Sequence, residues 1–448
     1  MKKVALIGAG ISGLGMARTL KQKNIPYDHF EKMPELGGNW KYGVYENVHI
    51  ISSKKTTEFP EYPMPKNYPD FPGSTQMLQY LQDYAKHFGI LNSIQFNSNI
   101  QNVVPIMNGD WEVEIEGRGK EIYHSVIIAN GHHWHTRYPK MNGEFTGEMY
   151  HSKDYKSPGS LKNKKVLVVG AGNSALDLCV DAAENALESH ISMRNGRWII
   201  PKTFFGMPSV DVMQPWMPKW FMKNFVKTLI FIQFGRYSDY GLPEPEDEIF
   251  ERHPTVNSQF LYYMKHGRIT PHPDIVKVDK QAVYFKDGSK IHIDTIIFAT
   301  GFHASLPMLK SLDIKYNKNG MPELIYGMFP KKYKNIYILG MGQPRYGAGP
   351  LVSQASEMIT SIIEKREMFH DPIGNTLCKI GAKPLEKEAL DPFEVMERIR
   401  KFKELLPLIP IIEKFFQFIP EFLLMNANSE INRNYIYPPP ESINLKNI

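Results

Sequence analysis

The chain contains little cysteine: Cys179 and Cys378 are the two such residues among 448. Thiols so far apart in the sequence exclude a disulfide framework and a zinc site of paired cysteines, so we expect structural thiols. The sequence also lacks any run of about 18 uncharged apolar residues, the minimum for a membrane-spanning helix. No cleavable apolar leader fits between Met1 and the first predicted strand, which predicts a cytoplasmic location.

Strong charge of one sign is absent too, since the net charge is +6 and is not concentrated in one run. This pattern gives no support to nucleic-acid binding. The cluster of His132, His133 and His135 has no ligand partner at the usual spacing, so we interpret it as a polar interdomain linker and predict no metal site. The chain is longer than one hydrophobic core usually serves, which predicts at least two domains.

Two glycine-rich segments are present, and each follows a short apolar run, Val4–Ile7 or Val166–Val169, and opens a helix-compatible stretch. Glycines in this position make a tight turn and let backbone N–H groups approach a pyrophosphate at the positive end of a helix. The two fingerprints predict two nucleotide sites, which indicates a redox enzyme. The predicted cofactor-binding residues are Gly8, Gly10, Ile11, Ser12 and Gly13 in the first fingerprint and Gly170, Gly172, Asn173, Ser174 and Ala175 in the second.

The two fingerprints differ at the end of the following strand. In the first, Glu31 lies about 20 residues past the glycines, where a carboxylate accepts hydrogen bonds from ribose hydroxyls, as in FAD. In the second, Arg194 occupies the equivalent place, with Arg197 and Lys202 close behind. Cations there pair with a 2′-phosphate, which favours NADPH over NADH. The alternative is that the two arginines are solvated turn residues.

The apolar runs 125–131 and 294–301 each end in glycine and predict buried strands at which the chain changes domain. We therefore predict an α/β protein whose second nucleotide domain is inserted in the first. The expected bounds are 1–135 for the first part of the FAD domain, 136–299 for the NADPH domain, and 300–448 for the second part of the FAD domain with a helical tail.

Two further segments carry apolar patterns. The aromatic stretch between Pro208 and Leu242 is interpreted as core, as a subunit interface, or as a lid over a substrate channel. The tail at 402–424 has an amphipathic pattern that prolines divide into short helices, with Glu413 among the residues of its polar face. We expect the tail to dock on the protein's own body and the segment around Pro438 to form an extended arm.

Between the two fingerprints lies the pattern Phe-x-Gly-x-x-x-His-x-x-x-Tyr, formed by Phe145, Gly147, His151 and Tyr155. With it, residues 1 to about 365 resemble the flavin-containing monooxygenases, which bind FAD and NADPH on two Rossmann-like domains. The resemblance also extends to the segment of Gly38, Asn39 and Trp40 beside the flavin, to the strand that ends in Thr300 and Gly301, and to the segment that ends in Asn257.

The resemblance implies that NADPH reduces FAD, that O2 forms a C4a-(hydro)peroxyflavin, and that this species oxygenates a small soft nitrogen or sulfur nucleophile. It places Ile51, Ser52 and Asn257 at the reaction site. Family members that oxidise amines commonly have asparagine where Ile51 stands, and an apolar side chain cannot donate the amide hydrogen bond. Either Ser52, Ser53 or His49 replaces the amide, or the oxygenated flavin is shorter-lived here.

Several alternatives stay open. A Baeyer–Villiger enzyme would oxidise ketones, although Tyr155 stands where those relatives have tryptophan. A largely uncoupled NADPH oxidase or a redox-sensing binding protein without turnover is also compatible with the fingerprints. A flavin disulfide reductase would require a redox-active cysteine pair near the flavin, and this chain has no cysteines at the usual spacing. A homodimer is an expectation from the resemblance alone.

Overall fold

The computed structural model describes residues 3–214, 216–385 and 389–417. Its centre consists of two parallel sheets of five strands each, which confirms the predicted α/β fold with two Rossmann-type sheets. The strands of the first sheet, in spatial order, are Ile336–Ile338, Ser125–Ile128, Val4–Ile7, Tyr27–Phe30 and Ile94–Gln95. Those of the second sheet are Glu148–His151, Thr295–Phe298, Lys165–Val169, Glu188–Ser192 and Thr270–His272.

Each sheet is organised around a fingerprint strand. Every side chain of Val4–Ile7 is buried, as expected for a parallel strand covered on both faces. The helix Ile11–Gln22 leads to Tyr27–Phe30, which pairs in parallel with the first strand. The second sheet repeats this βαβ unit with the helix Asn173–Asn185. The second sheet lies between residues 148 and 298, and the chain then returns to the first sheet at Ile336–Ile338.

Smaller sheets surround this centre. A three-stranded antiparallel sheet follows the first fingerprint unit, and a four-stranded sheet covers the second. Their strands are Ile100–Pro105, Trp111–Ile115 and Gly119–Tyr123, and Lys290–His292, Ala282–Phe285, Ile275–Lys280 and Gly143–Phe145. The two-stranded pairs are Ile199–Ile200 with Thr255–Val256, Thr203–Phe204 with Met207–Pro208, His135–Thr136 with Phe302–His303, Leu324–Ile325 with Phe329–Pro330, and Gln343–Pro344 with Ala389–Leu390.

The described α-helices pack around these sheets. Within the described ranges, none of them combines the length and apolar character needed to cross a membrane. Their bounds are Ile11–Gln22, Asn39–Tyr42, Lys54–Thr57, Ser74–His87, Asn173–Asn185, Ser209–Val212, Lys219–Phe234, Phe260–Lys265, Gly349–Glu364, Ile373–Lys379, Pro392–Leu405 and Ile409–Gln417.

The aromatic stretch between Pro208 and Leu242 forms the helix Lys219–Phe234 and the chain before it. Part of it is core, because Met222, Val226, Leu229 and Ile230 are buried. Another part is exposed, including Trp220 and Ile232. The stretch therefore supplies both core and a solvent-facing apolar surface.

The described part of the C-terminal tail docks on the protein's own body, as the sequence predicts. The helix Pro392–Leu405 ends two residues before Pro407, whose ring does not fit a continuous helix, and Ile409–Gln417 follows. Phe402 and Ile409 are buried in the hydrophobic core that packs against the first sheet, called the first core below. Residues 418–424 of the predicted tail and the predicted arm around Pro438 lie outside the described residues.

Glu413, which the pattern of the tail assigns to the polar face, is not exposed to solvent. Its side chain is buried and accepts hydrogen bonds from the backbone N–H of His370, at 2.7 Å, and from Thr376 Oγ1, at 3.0 Å. The periodicity of the tail could not reveal this, because both donors come from a segment about 40 residues earlier. A buried carboxylate with donors on two sides joins the last described helix to Ile373–Lys379.

Candidate active site

The first fingerprint is a tight turn between a strand and a helix. Gly8 has φ +105°, and a Cβ there would lie 2.5 Å from the carbonyl oxygen of Ala129. A Cβ on Gly13 would lie 1.8 Å from the carbonyl oxygen of Gly8. The helix then begins at Ile11 with Gly10 as its N-cap, and Ser12 lies in its first turn. Gly10 offers no side chain to cap the helix, so its first N–H groups suit a pyrophosphate.

Glu31 reaches this turn from the end of the neighbouring strand. Its carboxylate is buried and accepts from the backbone N–H of Ala9, at 2.7 Å, and of Met33, at 2.9 Å. These bonds fix the carboxylate beside the fingerprint, which is the placement that a ribose-binding acid requires. Each oxygen keeps a lone pair for a further donor.

The segment of Gly38, Asn39 and Trp40 lies against the fingerprint. Gly38 has φ +54°, and a Cβ on it would lie 2.9 Å from the Cα of Gly10. Asn39 begins a short helix, and its buried Oδ1 has no hydrogen-bond partner among the described residues. Trp40 packs against the first core. An unpartnered buried acceptor beside a glycine turn fits a site whose remaining donors come from a bound FAD.

Sequence reasoning missed Gly340 at this site. It follows the strand Ile336–Ile338, has φ +84°, and approaches Ser12 so closely that a Cβ would lie 2.5 Å from the serine Oγ. The signal was a glycine shortly after a buried apolar strand, but only the return of that strand to the first sheet places it at the fingerprint.

The second fingerprint has the same construction. Gly170 has φ +142°, and a Cβ there would lie 2.3 Å from the carbonyl oxygen of Ala299. Gly172 is the N-cap of the helix that contains Asn173, Ser174 and Ala175. A Cβ on Gly172 would meet nothing within 4 Å, so space for a ligand remains above the turn. This helix end also suits a pyrophosphate.

Asn173 joins the second fingerprint to the segment 254–257. Its Oδ1 accepts from the N–H of Val256, at 2.7 Å, and the Thr255 hydroxyl donates to the carbonyl oxygen of Ala171, at 2.8 Å. Asn257 is buried, and its Nδ2 donates to Asp177 Oδ1 at 2.8 Å. Its Oδ1 accepts from the N–H groups of Gln259 and Phe260, at 2.9 and 2.7 Å. The Asn257 amide therefore organises protein structure on both of its sides.

The three predicted phosphate-binding cations occupy different surroundings. Arg194 is exposed two residues after the strand Glu188–Ser192, and Arg197 is half-buried. Lys202 contacts His49 Nε2 across the boundary between the two fingerprint units. Burial lowers the pKa of Lys202, while the nearby Asp177 opposes that shift.

His151 and Gly301 meet at the end of the second sheet. His151 is buried, its Nε2 lies 3.1 Å from the carbonyl oxygen of Gly301, and its Nδ1 accepts from the N–H of Lys153 at 3.2 Å. These contacts assign the proton to Nε2. Burial lowers the pKa of His151 to about 4, so the ring is neutral at pH 7. Thr300 Oγ1 donates to the carbonyl oxygen of Arg137.

Two carboxylates on the second fingerprint helix bind the segment 45–47. Asp177 Oδ2 accepts from the hydroxyl of Tyr45 at 2.8 Å, and Asp181 Oδ1 accepts from Asn47 Nδ2 at 3.0 Å. Asp177 and Asp181 are four residues apart, so both face the same side of the helix. This contact joins the two nucleotide units near Ile51.

The polar neighbours of Ile51 already have protein partners. Ser52 is buried and its hydroxyl lies 2.7 Å from Thr57 Oγ1. Ser53 Oγ donates to Asp211 Oδ1 at 2.6 Å, and both ring nitrogens of His49 lie against Asn47 or Lys202. Each group considered as a replacement for the missing amide is therefore engaged elsewhere.

Ile51 itself lines a pocket that opens to solvent. The walls are largely apolar and come from both nucleotide units, while His253, Arg345 and Tyr346 provide polar groups. The lining residues are Ile51, Ile200, Ser209, Val210, Met213, Phe250, His253, Pro254, Val256, Arg345 and Tyr346.

The profile of the flavin-binding monooxygenase-like family matches residues 1–373. Flavin-containing monooxygenase 3 of Homo sapiens is 30% identical over 395 residues, which cover 81% of this chain and 74% of that protein. Dimethylaniline monooxygenase [N-oxide-forming] 2 of Oryctolagus cuniculus is 28% identical over 399 residues, which cover 81% and 73%.

Solved structures share the fold at lower identity. S-allyl-L-cysteine S-oxygenase from Allium sativum is 21% identical with a TM-score of 0.61 and covers 91% of this chain and 82% of its own. Cyclohexanone monooxygenase is 15% identical with a TM-score of 0.70 and covers 90% and 98%. The chain belongs to the flavin-binding monooxygenase-like family, and it is an NADPH-dependent oxidoreductase whose cofactors are FAD and NADPH.

Proposed function

We propose that this monooxygenase oxygenates soft nitrogen or sulfur nucleophiles. For a thioether the balanced reaction is R–S–R′ + O2 + NADPH + H⁺ → R–S(O)–R′ + H2O + NADP⁺. The observation that carries the proposal is the pocket between the two nucleotide units, which is lined by Ile51 from one and by Ile200 and Val256 from the other. A largely apolar pocket at this junction suits the soft nucleophilic atom of a substrate.

The proposed cofactor contacts follow the two fingerprints. Residues 1–135 and 300–448 would form the FAD domain, and residues 136–299 the NADPH domain. FAD would be held by Gly8, Gly10, Ile11, Ser12, Gly13, Glu31, Gly38, Asn39, Trp40, Thr300 and Gly301. NADPH would be held by Gly170, Gly172, Asn173, Ser174, Ala175, Arg194, Arg197 and Lys202.

FAD, when bound, supplies the hydride acceptance and the activation of O2. The protein's residues bind and orient the two nucleotides and shape the apolar cavity. A strong acid–base pair is not required, and the neutral His151, turned toward Gly301, fits a positioning role. We propose that Ile51 and Ser52 lie beside the reacting atoms. Asn257 would hold the segment that faces NADPH in its conformation.

Preference for heteroatoms over ketones rests on two observations. Tyr155 ends the motif between the fingerprints where the Baeyer–Villiger relatives have tryptophan, and its hydroxyl donates to Asp181. The rabbit relative is named for N-oxide formation. A cytoplasmic location and a homodimer stay predictions.

The test supplies the purified holoenzyme with NADPH and ¹⁸O2 and, in parallel, with thioanisole, N,N-dimethylaniline or cyclohexanone. We expect ¹⁸O in the sulfoxide or N-oxide, at less than one equivalent for each NADPH oxidised, and little lactone. Lactone as the main product would establish ketone oxidation instead. Hydrogen peroxide equal to the NADPH consumed with all three substrates would show an uncoupled oxidase.

A further inference from the structure

The pocket at Ile51 has one arginine in its lining. Arg345 lines the pocket with its side chain only 11% exposed, and its guanidinium lies 5.1 Å from the centre of the Phe250 ring. Tyr346, also in the lining, is buried beside it. Most of the remaining wall is apolar. A guanidinium in the lining of a largely apolar pocket can distinguish anionic from neutral ligands.

A short parallel ladder places this cation. Gln343–Pro344 pairs with Ala389–Leu390 in parallel, so the next residue of each strand, Arg345 and Asp391, come side by side. Arg345 Nη2 donates to Asp391 Oδ2. The second strand lies beyond residues 1–373, the part that the family profile matches. The C-terminal segment therefore holds a pocket residue in place.

Asp391 does not exhaust the binding capacity of Arg345. Asp391 Oδ1 accepts from the N–H groups of Phe393 and Glu394, at 3.1 and 3.3 Å, and so caps the helix that begins at Pro392. The positive end of that helix offsets part of the carboxylate charge. Across the described ranges, Asp391 is the one hydrogen-bond acceptor found for a guanidinium that has five N–H donors. Donors remain for a second carboxylate.

We propose that Arg345 is a specificity-determining residue that binds the carboxylate of the substrate, with Asp391 as its positioning residue. The inference rests on the proposed function and narrows it: the substrate class is a soft sulfur or nitrogen nucleophile that also carries a carboxylate. The carboxylate meets Arg345, and the nucleophilic atom packs against the apolar part of the lining, which includes Ile51. A phosphate of NADPH is the other anion that Arg345 could meet, because the pocket also includes Pro254 and Val256 beside the second fingerprint.

The test compares 3-(methylthio)propanoate with 3-(methylthio)propan-1-ol, which share the thioether and differ in charge. Arg345→Gln removes the cation, Arg345→Lys keeps a charge without the planar fork, and Arg400→Gln removes an exposed arginine from the C-terminal helix as a control. FAD content and circular dichroism establish that each variant is folded.

We expect the wild type to prefer the acid over the alcohol in kcat/KM by at least about 10-fold, the value of one charge-assisted hydrogen bond. Arg345→Gln should abolish this preference, Arg345→Lys should retain part of it, and Arg400→Gln should leave it unchanged. The KM for NADPH should stay within about 2-fold, because the proposed contact is with the substrate. Asp391→Asn should raise the KM for the acid more than it lowers kcat.

Three results would overturn the proposal. The wild type could show no preference for the acid, or Arg345→Gln could lower kcat/KM equally for the acid and the alcohol. The third is a fall in kcat/KM that is accompanied by a matching rise in the KM for NADPH. A binding measurement separates this inference from the proposed function. Hexanoate and hexanamide cannot be oxygenated, and calorimetric titration of the holoenzyme should show Arg345-dependent binding of hexanoate alone. Such binding without oxygenation of either thioether would retain the carboxylate site and reject the proposed function, whereas equal binding of both analogues would reject the site.

Discussion

The hydroxyl of Tyr155 donates a 2.8 Å hydrogen bond to Asp181 on the second fingerprint helix. Both residues are buried, and burial raises the pKa of each. The other carboxylate oxygen of Asp181 accepts from Asn47 Nδ2. The last residue of the motif between the fingerprints thus shares one carboxylate with the segment that leads to Ile51.

This contact predicts that Tyr155→Phe destabilises the protein by about 1–3 kcal/mol, because the substitution leaves a buried carboxylate oxygen without its donor. The measurement is urea unfolding of the holoenzyme. Tyr262→Phe is the control, since Tyr262 is 59% exposed. Equal unfolding free energies for Tyr155→Phe and the wild type would show that water or another group replaces the phenol.

Buried histidines predict a loss of stability in mild acid. Burial lowers the pKa of both His29 and His151 to about 4 from an ordinary value near 6.5. The unfolded chain therefore binds these protons first, so the stabilisation is complete above pH 6.5 and is lost as the pH falls from 6.5 toward 4. The urea midpoint should fall across this window in the wild type and fall less steeply in His151→Gln. Parallel slopes would indicate that the pKa of His151 is not lowered in the folded protein, so that the ring takes up its proton without unfolding.

Arg194 predicts selectivity between the two nicotinamide nucleotides. It is exposed two residues after the strand Glu188–Ser192, and we propose that it binds the 2′-phosphate of NADPH. Arg194→Ala should raise the KM for NADPH by about 10-fold or more and leave the KM for NADH within about 2-fold, because only the first nucleotide loses a charged contact. Steady-state kinetics with both nucleotides test this, with the exposed Arg236→Ala as a control. Equal effects on both would contradict the phosphate assignment.

The sequence predicts those features of the fold and the site that depend on residues close together in the chain. Gly8, Gly170 and the strands before them were found because turn geometry and burial depend on neighbouring residues. The positions of Glu413 and of the Arg345–Asp391 pair were not found. Each depends on partners about 40 or more residues away, and hydrophobic periodicity does not encode which polar groups meet across the fold.

Ile51 predicts the efficiency of coupling. Ile51 cannot donate the hydrogen bond of an asparagine amide, and His49, Ser52 and Ser53 each already contact a protein partner. Ile51→Asn should therefore lower the hydrogen peroxide formed per NADPH, and Ile51→Val, which keeps an apolar wall, should leave it unchanged. Peroxide and oxygenated product are measured in the same reaction, with thioanisole as substrate. An unchanged peroxide yield in Ile51→Asn would mean that burial in the apolar pocket, rather than an amide hydrogen bond, limits the loss of reducing equivalents.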